Sequence, residues 1–532
     1  TRIIHQGSTG PPHVVGNSSV GTGVSGVATP TLETPVPTTD CMPSLRVDFH
    51  PVRPVDVTFD APSTSSDGGW LLTRVVDGAL GTTEDMAAQL RDPRDPRRVD
   101  HTTQTLVRQR VFQIVAGYED ASDATTLRHD PLLRVVCGRD PDGVPLASQP
   151  TLSRLEARAT AREVVRLQRA HERRWVASLP ADLPAIVLDL DGTDDPTHGQ
   201  QQFAFFNSHY GGTIYAPLLI FDQDGRLVSA RMRPGNQHLA QYAAPTLERL
   251  IRLIRERFQT LPILVRADAA FGIASVVNRL DALRAELGAV DYLLGVSPNS
   301  AVRRAAAAAL ALATSVAAGR ADGQARSYDT ATYQSETWRR AHRIVLKAER
   351  TKASTDIRCV VTTLGTLPPR ETYGLYAGRG DAENRIKDFK RGLMADRLSC
   401  HLYLANAFRL QLHAGAYELL YGLREQALTS DIATPTAPPA APADPAPSAQ
   451  EATGLEHLLS LCLYARAIVG HETTVRAPRP EFRTLRERLL KVAATVRRSA
   501  RRIWIALPQS FPGAAVFRRL LARLDARQLQ LA

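Results

Sequence analysis

The chain has 532 residues, which is too long for one simple hydrophobic core, so we expect roughly two or three domains. Its 65 Lys and Arg residues exceed its 54 Asp and Glu residues, and the net charge of +11 favours a polyanionic partner such as DNA. The most apolar stretch, residues 305–318, is too short to cross a bilayer, and the five scattered cysteines form neither a zinc motif nor a disulfide framework. The sequence has no G-x4-G-K-[ST] loop and no convincing secretory signal, so we expect no nucleotide cofactor, no membrane contact and a cytoplasmic location.

The first 150 residues change character near residue 45. Residues 1–44 are rich in Gly, Ser, Thr and Pro without helical periodicity, which predicts a disordered lead-in. Residues 45–150 are predicted to form a mainly helical N-terminal domain. Its clearest helix runs from His101 to Tyr118, with an apolar stripe from which Arg108 and Arg110 are excluded. A helical cap that only packs against the rest of the protein is the alternative interpretation.

Residues 151–297 are predicted to form an α/β core. A long charged helix from Arg154 to Ser178 comes first, followed by three closely spaced strands, a helix near residues 239–258, and further strands. This succession is the order expected of an RNase H-like sheet, a mixed five-stranded sheet with helices. Its first and fourth strands are neighbours in that fold. The predicted strands are Ile186–Leu190, Gly212–Phe221, Leu227–Met232, Ile263–Val265 and Tyr292–Val296.

An insertion, residues 298–372, interrupts the core. It contains an Ala-rich helix and then strand-like runs, so we expect it to be mainly β. The second part of the core, residues 373–428, carries a helix with Glu383 and a largely apolar helix from Leu402 to Leu423.

The end of the chain is divided by composition. Residues 429–453 are dense in Ala, Pro and Ser, which predicts a linker, and residues 454–532 are predicted to form a basic helical C-terminal region. Between residues 483 and 502 there is only one acidic residue, so this stretch could lie along DNA, with Leu485, Leu489, Val492 and Val496 on the buried side of a helix. Its basic residues are Arg483, Arg486, Arg488, Lys491, Arg497, Arg498, Arg501 and Arg502.

Three carboxylates stand on separate predicted elements. Two apolar runs end in Asp191 and Asp268, and Glu383 belongs to the pattern Tyr376-x2-Arg379-x3-Glu383-x6-Lys390. In a regular helix, Arg379, Glu383 and Lys390 lie within roughly 40° of one another. An ordinary surface pair of Arg379 with Glu383 is the alternative, but interior strands that end in carboxylates usually aim them at a ligand or ion. The pattern predicts a metal-dependent enzyme that acts on phosphodiesters.

These residues resemble the bacterial insertion-sequence transposases of the DDE type, in the branch with a Y-R-E-K signature. The signature matches at all four positions, and the resemblance covers about residues 46 to 425. Supporting segments are Leu188-Asp-Leu-Asp-Gly-Thr-Asp-Asp-Pro-Thr-His-Gly199, Asn207-Ser-His-Tyr-Gly-Gly212, Arg233-Pro-Gly-Asn236, Arg266-Ala-Asp-Ala-Ala-Phe-Gly272 and Asp381-Ala-Glu-Asn-Arg385.

The resemblance implies a cut-and-paste DNA transposase that binds terminal inverted repeats, cuts the element's ends and joins them to target DNA. Asp191, Asp268 and Glu383 would be its catalytic residues and would hold Mg²⁺ or Mn²⁺, with two ions per site. Asp189 is the alternate ligand because it points to the same strand face as Asp191. Asp191 is preferred, since Asp191-Gly-Thr193 matches the family's D-x-T.

The resemblance also implies how DNA is bound. Tyr376, Arg379 and Lys390 would contact DNA near the cleaved end, in enzymes that often form a hairpin intermediate. Lys387, on the same predicted helix, is a further DNA-binding candidate. The N-terminal domain would bind the element ends, the arginines of residues 497–502 would add contacts, and a homodimer would assemble on paired ends. The expected location is the cytoplasm of a bacterium, at the nucleoid.

Some candidates have more ordinary interpretations. Trp338 could stack a flipped base, although a tryptophan in a β core is commoner. His198 and His209 could orient phosphate, although such histidines are more often hydrogen-bonded structure than metal ligands. Two alternative functions remain, a nuclease or resolvase on the same fold without strand transfer, and a domesticated DNA-binding protein without chemistry.

Overall fold

The computed structural model of the protein describes residues 45–47, 51, 53, 55–57, 61–365, 367–428 and 479–531. The predicted lead-in, residues 1–44, and the predicted linker, residues 429–453, lie outside these ranges, as do residues 454–478 of the C-terminal region. The chain divides into two compact units, Thr1–Ala61 and Pro62–Ala532. No helix in the described ranges combines the length and apolar character needed to span a membrane.

The first unit contains a small antiparallel pair of strands, β1 (Leu45–Val47) and β2 (Val55–Val57). Arg46 Nε lies 3.0 Å from Asp56 Oδ1 across the pair, and both side chains are largely exposed. Solvent screens an exposed ion pair of this kind, so it adds little to the stability of the hairpin.

The second unit begins with a short strand and a set of helices. The helix predicted between His101 and Tyr118 is present: it starts after Thr102, whose hydroxyl accepts the Thr105 N–H, and it ends at Gly117 with φ of 90°. The elements are β3 (Thr64–Ser65), α1 (Trp70–Leu80), α2 (Thr82–Ala88), α3 (Thr103–Ala116), α4 (Ala124–Leu127), α5 (Pro131–Val136), α6 (Gln149–Ala157) and α7 (Ala161–Ser178).

Two expectations for this helical region were wrong. Arg108 and Arg110 are buried in the interior, because Arg108 pairs with Asp77 at 3.3 Å and Arg110 pairs with Glu156 at 3.0 Å. The single helix predicted from Arg154 to Ser178 is instead two helices, α6 and α7. A new helix starts at Ala161 because Thr160 and Glu163 form a reciprocal capping box.

The central feature is a mixed sheet of eight strands in the order β12-β13-β14-β11-β10-β4-β8-β9. Strands β4, β10 and β11 are parallel to one another, and the other neighbours pair antiparallel. The strands are β4 (Ile186–Gly192), β8 (Leu218–Asp222), β9 (Leu227–Arg231), β10 (Ile263–Ala267), β11 (Val290–Val296), β12 (Ala325–Tyr333), β13 (His342–Arg350) and β14 (Thr355–Thr362). A separate small sheet contains β5 (Asp195–Pro196), β6 (Phe205–Asn207) and β7 (Gly212–Tyr215).

The first and fourth predicted core strands, β4 and β10, are parallel neighbours, as expected. The expected five-stranded sheet, however, has eight strands, because the strands of residues 298–372 continue it instead of forming a sheet of their own. Strand β14 pairs with β11 from Leu293↔Thr362 to Val296↔Cys359. This pairing covers an edge of β11 that would otherwise expose unpaired backbone groups.

Helices cover both faces of the sheet. On one face, α8 (Ala243–Arg257) and α9 (Ala274–Leu287) bury residues such as Leu247 and Leu280 against β4, β10 and β11. On the other face, Tyr373 and Tyr376 pack with Val187 and Leu264. The insertion adds α10 (Ser300–Ala305) and α11 (Ala307–Ala318).

The segment carrying Glu383 is helical but irregular. It consists of α12 (Pro369–Ala377), a 3₁₀ turn (Gly378–Gly380), α13 (Asp381–Lys387) and a π-helical turn (Asp388–Gly392). The regular helix assumed for the angles between Arg379, Glu383 and Lys390 is therefore interrupted. Gly378 and Gly380 favour the change of winding, since glycine is a weak helix former. The apolar helix predicted from Leu402 is α14 (Tyr403–Leu428).

The C-terminal region is only partly helical. After α15 (Phe482–Leu485) and a π-helical turn (Arg486–Leu490), the chain forms strands β15 (Ala494–Arg498) and β16 (Ile503–Ala506), and then α16 (Ala514–Leu531). Leu485, Leu489, Val492 and Val496 are buried as expected. The predicted helix is nevertheless wrong beyond residue 490, because the alternating apolar residues from Ala494 suit β15, which pairs with both β16 and β3.

Candidate active site

Asp191 and Asp268 lie side by side at the carboxyl ends of two parallel strands. Ala267, the last residue of β10, is paired with Leu190 of β4, so each aspartate follows directly in the same register. The Asp268 carboxylate is fixed locally, because its Oδ1 accepts the backbone N–H of Ala270 at 2.9 Å. The fold thus brings together two carboxylates that are far apart in the sequence.

The pKa of Asp191 shows that the third carboxylate, Glu383, lies close enough to act on it electrostatically. Burial raises the pKa of Asp191 to about 7, with further raising by the negative charges of Asp268 and Glu383, while the Arg379 guanidinium acts in the opposite direction. Glu383 is exposed on α13. Among the described residues, no three acidic, histidine or cysteine side chains form a closed metal-binding group. The site therefore gathers negative charge, with Asp191 and Asp268 adjacent and Glu383 within electrostatic range.

Asp189 has a different environment, although it lies only two residues before Asp191. Both of its carboxylate oxygens are taken by Arg266, whose Nε lies 2.7 Å from Oδ1 and whose Nη2 lies 2.8 Å from Oδ2. Arg385 Nη1 adds a contact of 3.0 Å to Oδ2. Asp189 and Arg266 are almost fully buried. We call this buried group of Asp189, Arg266 and Arg385 the aspartate clamp.

The aspartate clamp joins three parts of the fold. Arg266 belongs to β10 and also donates to the Leu375 carbonyl of α12 at 2.8 Å. Arg385 lies two residues after Glu383 on α13 and donates to the carbonyls of Asp222 and Gln223 at 2.7 and 2.9 Å. The clamp therefore ties the helix of Glu383 to the strand of Asp191. The sequence analysis missed Arg266 and Arg385, although both fall inside the segments that carry the resemblance.

Tyr376 and Arg379 lie beside the carboxylates. Tyr376 is buried, and the Arg379 guanidinium carbon stands 5.4 Å from the centroid of its ring. A cavity of about 550 Å³ opens next to them and is bounded on one side by Asp268. This arrangement holds the Arg379 guanidinium close to Asp191 and Asp268, which together we call the acidic edge of the sheet.

The two lysines of the motif segment differ. Lys390 Nζ donates to Asp194 Oδ1 at 2.8 Å and stands 3.9 Å from Asp396 Oδ2. Burial, and then the charge of Asp396, raises the pKa of nearby Asp195 well above its usual value. Lys387 is exposed on α13. Lys390 is thus paired with acidic residues in this structure, whereas Lys387 faces solvent.

The basic C-terminal residues lie on a different sheet from the carboxylates. Arg497 and Arg498 are exposed on β15, and Arg501 and Arg502 are exposed in the turn before β16. Arg498 contacts Asp140, and its Nε lies 3.1 Å from Asp142 Oδ2. The structure presents these arginines on a hairpin and not along a helix.

Trp338 lies in a different environment from His198 and His209. Trp338 is buried and makes edge contacts with Tyr333 and His342, each at 5.4 Å between ring centroids, so it is part of a β core. His198 and His209 are exposed. Tyr210, which the sequence analysis did not single out, lies closer to the site: burial raises its pKa to about 12, with a further contribution from Asp191.

Comparison with known proteins gives the family. The sequence matches the family model described as Transposase DDE domain group 1 over residues 48–437 and 459–529, which is most of the chain. The chain belongs to this family. As a DDE transposase it is a DNA-processing enzyme of a family that generally uses divalent metal ions, and the acidic edge of its sheet offers the oxygen ligands that such ions prefer.

Among solved structures, this DDE transposase is similar to a piggyBac transposase synaptic complex with hairpin DNA determined by cryo-EM. The TM-score is 0.36 and the sequence identity 9%, and the match covers 81% of this chain and 87% of that chain. No curated protein matches the sequence.

Proposed function

We propose that this transposase is a cut-and-paste enzyme that binds the terminal inverted repeats of an insertion sequence, cleaves at the ends and joins the 3′-hydroxyls to target DNA. The observation that carries the proposal is the meeting of Asp191 and Asp268 at the ends of neighbouring parallel strands, with Glu383 within electrostatic range. This is an oxygen-ligand site in a chain that belongs to the DDE transposases.

An RNase H-like core belongs to this proposal. Its support is the order β9-β8-β4-β10-β11, in which the first three strands are antiparallel neighbours and the last three are parallel. Assignment to the bacterial Y-R-E-K branch is also proposed, and it rests on the spacing of Tyr376, Arg379, Glu383 and Lys390. A bacterial cytoplasm and an association with the nucleoid would follow from that assignment.

Asp191, Asp268 and Glu383 would hold two Mg²⁺ or Mn²⁺ ions. Such ions activate the attacking hydroxyl and stabilise the leaving oxygen when they are bound. The residues fit this role because they are carboxylates. Burial and then the negative charge of Asp268 raise the pKa of Asp191, and a bound cation would offset both effects. Asp189 is not proposed as a ligand, since both of its oxygens already accept guanidinium donors.

The cationic residues of the motif would orient DNA. Arg379 can bind a phosphate through two parallel hydrogen bonds, and its contact with the buried Tyr376 ring restricts its position. Exposed Lys387 can reach a second phosphate. Lys390 would need to exchange Asp194 for phosphate, so its role as a DNA ligand depends on that pair opening.

Further parts of the proposal concern assembly. Residues 45–150 and 454–532 would bind DNA outside the site, with Arg497, Arg498, Arg501 and Arg502 as contacts on the exposed hairpin of β15 and β16. Two protomers would pair the two ends of the element as a homodimer. Trp338 is buried, so it is not proposed to stack a flipped base. No residue is proposed for a hairpin intermediate.

The test uses a labelled duplex that carries the repeats flanking the coding sequence. Purified protein is incubated with it in Mg²⁺ and in EDTA, beside Glu383→Gln and the control Glu371→Gln, which changes an exposed acid on α12. Nicking at the repeat boundary and joining to target DNA are expected only with Mg²⁺, with full loss in Glu383→Gln and none in the control.

Other outcomes would contradict the proposal in different ways. Cleavage without joined products would indicate a nuclease or resolvase. Binding without cleavage in either Mg²⁺ or Mn²⁺ would indicate a domesticated DNA-binding protein.

A further inference from the structure

A cavity of about 550 Å³ lies between Asp268 and the strand β14 of the insertion. Its size falls within the range of roughly 300–1,000 Å³ that is typical of ligand sites. One wall is formed by Tyr376 and Arg379 of the motif segment, and another by residues Thr355–Cys359 of β14. The cavity therefore adjoins the acidic edge and is partly built from residues 298–372, in which the sequence analysis singled out only Trp338.

Three arginines line this cavity, one from each of three elements. They are Arg303 of α10, Arg358 of β14 and Arg379, and we call the cavity the arginine pocket. Arg303 is exposed and has no side-chain partner among the described residues. Arg358 Nε lies 2.8 Å from Asp356 Oδ2 in an exposed pair. Among the residues that line this pocket, the acidic ones are Asp268 and Asp356.

A glycine lines the pocket where Tyr376 and Ala269 approach it closely. A Cβ added at Gly295 would stand 2.8 Å from the Tyr376 hydroxyl and 2.6 Å from the Ala269 backbone nitrogen. Neither distance is tolerated between real atoms, so a larger residue would push Tyr376 away from its place beside Asp268. The wall that separates the pocket from the sheet is therefore closely packed, while the pocket itself stays open.

We propose that the arginine pocket binds the backbone of the DNA strand next to the scissile phosphodiester, with Arg303 and Arg358 as phosphate ligands supplied by the insertion. The inference rests on the proposed function and deepens it. Guanidinium groups match phosphate oxygens in geometry and charge, and three of them line a pocket that Asp268 also lines. The insertion would thus extend the catalytic site along the strand as well as extending the sheet.

The test measures binding of a short fluorescein-labelled single-stranded DNA by anisotropy at several salt concentrations. Arg303→Ala and Arg358→Ala are each expected to weaken binding roughly tenfold and to lower the slope of log Kd against log salt by about 0.7, the value for one lost contact to single-stranded DNA. Both positions are exposed, so the variants should fold, which circular dichroism can check.

Matched controls are available for each position. Arg304→Ala removes an exposed arginine next to Arg303 that does not line the pocket. Arg326→Ala removes an arginine of β12 that is 61% exposed and pairs with Glu349 at 2.8 Å, which resembles Arg358, 62% exposed and 2.8 Å from Asp356. Neither control should change the affinity or the salt slope.

Equal weakening in all four variants would overturn the inference in favour of general charge attraction. Unchanged binding by Arg303→Ala and Arg358→Ala would also overturn it, and the proposed function would survive if the unaltered protein still cut its repeats. Loss of binding confined to the two pocket variants, in a protein that never cleaves DNA, would support the pocket and contradict the proposed function.

Discussion

The aspartate clamp and the acidic edge each contain an aspartate of β4, Asp189 in the clamp and Asp191 at the edge. The two carboxylates have opposite electrostatic surroundings. In the clamp, Asp189 is buried with two arginines that satisfy its charge. At the edge, two residues later, burial and neighbouring carboxylates raise the pKa of Asp191 to about 7. The presence of paired arginines therefore separates the carboxylate that holds the fold from the one that we propose as a metal ligand.

The largest expected effect comes from breaking the acidic edge. Asp191→Asn should lower the single-turnover cleavage rate roughly a thousandfold or more, because it removes a proposed metal ligand. The free energy of unfolding should stay the same or rise, because repulsion from Asp268 and Glu383 is relieved. Cleavage assays and thermal denaturation measure the two effects. If Asp191→Asn still cleaved DNA, the proposed difference in role between Asp191 and Asp189 would be contradicted.

Breaking the aspartate clamp should instead lower the stability of the protein. Asp189→Asn leaves Arg266 and Arg385 buried without their carboxylate, which typically costs about 3–5 kcal/mol of stability. Chemical denaturation provides the measurement. The control Asp322→Asn breaks an exposed pair with Arg320 and should leave the stability nearly unchanged. A fully stable Asp189→Asn protein that has lost cleavage would instead identify Asp189 as the metal ligand.

A milder change at the clamp tests whether it positions Glu383. Arg385→Lys keeps the charge but loses the forked geometry, so α13 should shift relative to β4. Cleavage is expected to fall roughly 10- to 100-fold, with a higher Mg²⁺ concentration needed for half-maximal rate. Arg391→Lys, at an exposed site in the following π-helical turn, is the control. An unchanged Mg²⁺ requirement would reduce Arg385 to a purely structural role.

His413 extends the comparison to a buried group that lacks an opposite charge. Burial lowers its pKa well below the usual value, and Arg110 and Arg409 lower it further. The folded state then binds fewer protons than the unfolded state, so stability is full above pH 6.5 and falls by up to about 1.4 kcal/mol per unit below it. Urea denaturation between pH 7 and pH 5 should show a flatter profile for His413→Leu than for the unaltered protein. Equal slopes would contradict this assignment.

The pairing of β4 with β10 could be predicted from the sequence, because the succession of apolar runs is a local signal. The clamp could not. Its ion pairs join residues 77 and 196 positions apart, and nothing near Asp189 in the sequence marks its partners. Arg110 was misjudged for the same reason, since its partner Glu156 lies 46 residues away.

Local irregularity accounts for the other differences. The angles between Arg379, Glu383 and Lys390 assumed one regular helix, whereas the segment changes winding after Ala377 and again after Lys387. In the C-terminal region, the apolar positions suited a helix and a strand equally well. Pairing with β3 decided between them, and that strand lies at the other end of the unit.

This pairing has a consequence for the synthesis of the protein. Gly68 and Gly69 near β3 donate their backbone N–H groups to the carbonyls of Val492 and Leu490, at 2.6 and 3.1 Å. Helices α1 to α3 are synthesised before this segment, so their core is closed only once it has been translated. A message cut short before residue 490 would yield a chain that retains Asp191, Asp268 and Glu383 but lacks this closing strand. Such a product should be a substrate for cellular proteases, so breakage of DNA would be confined to chains translated past this point.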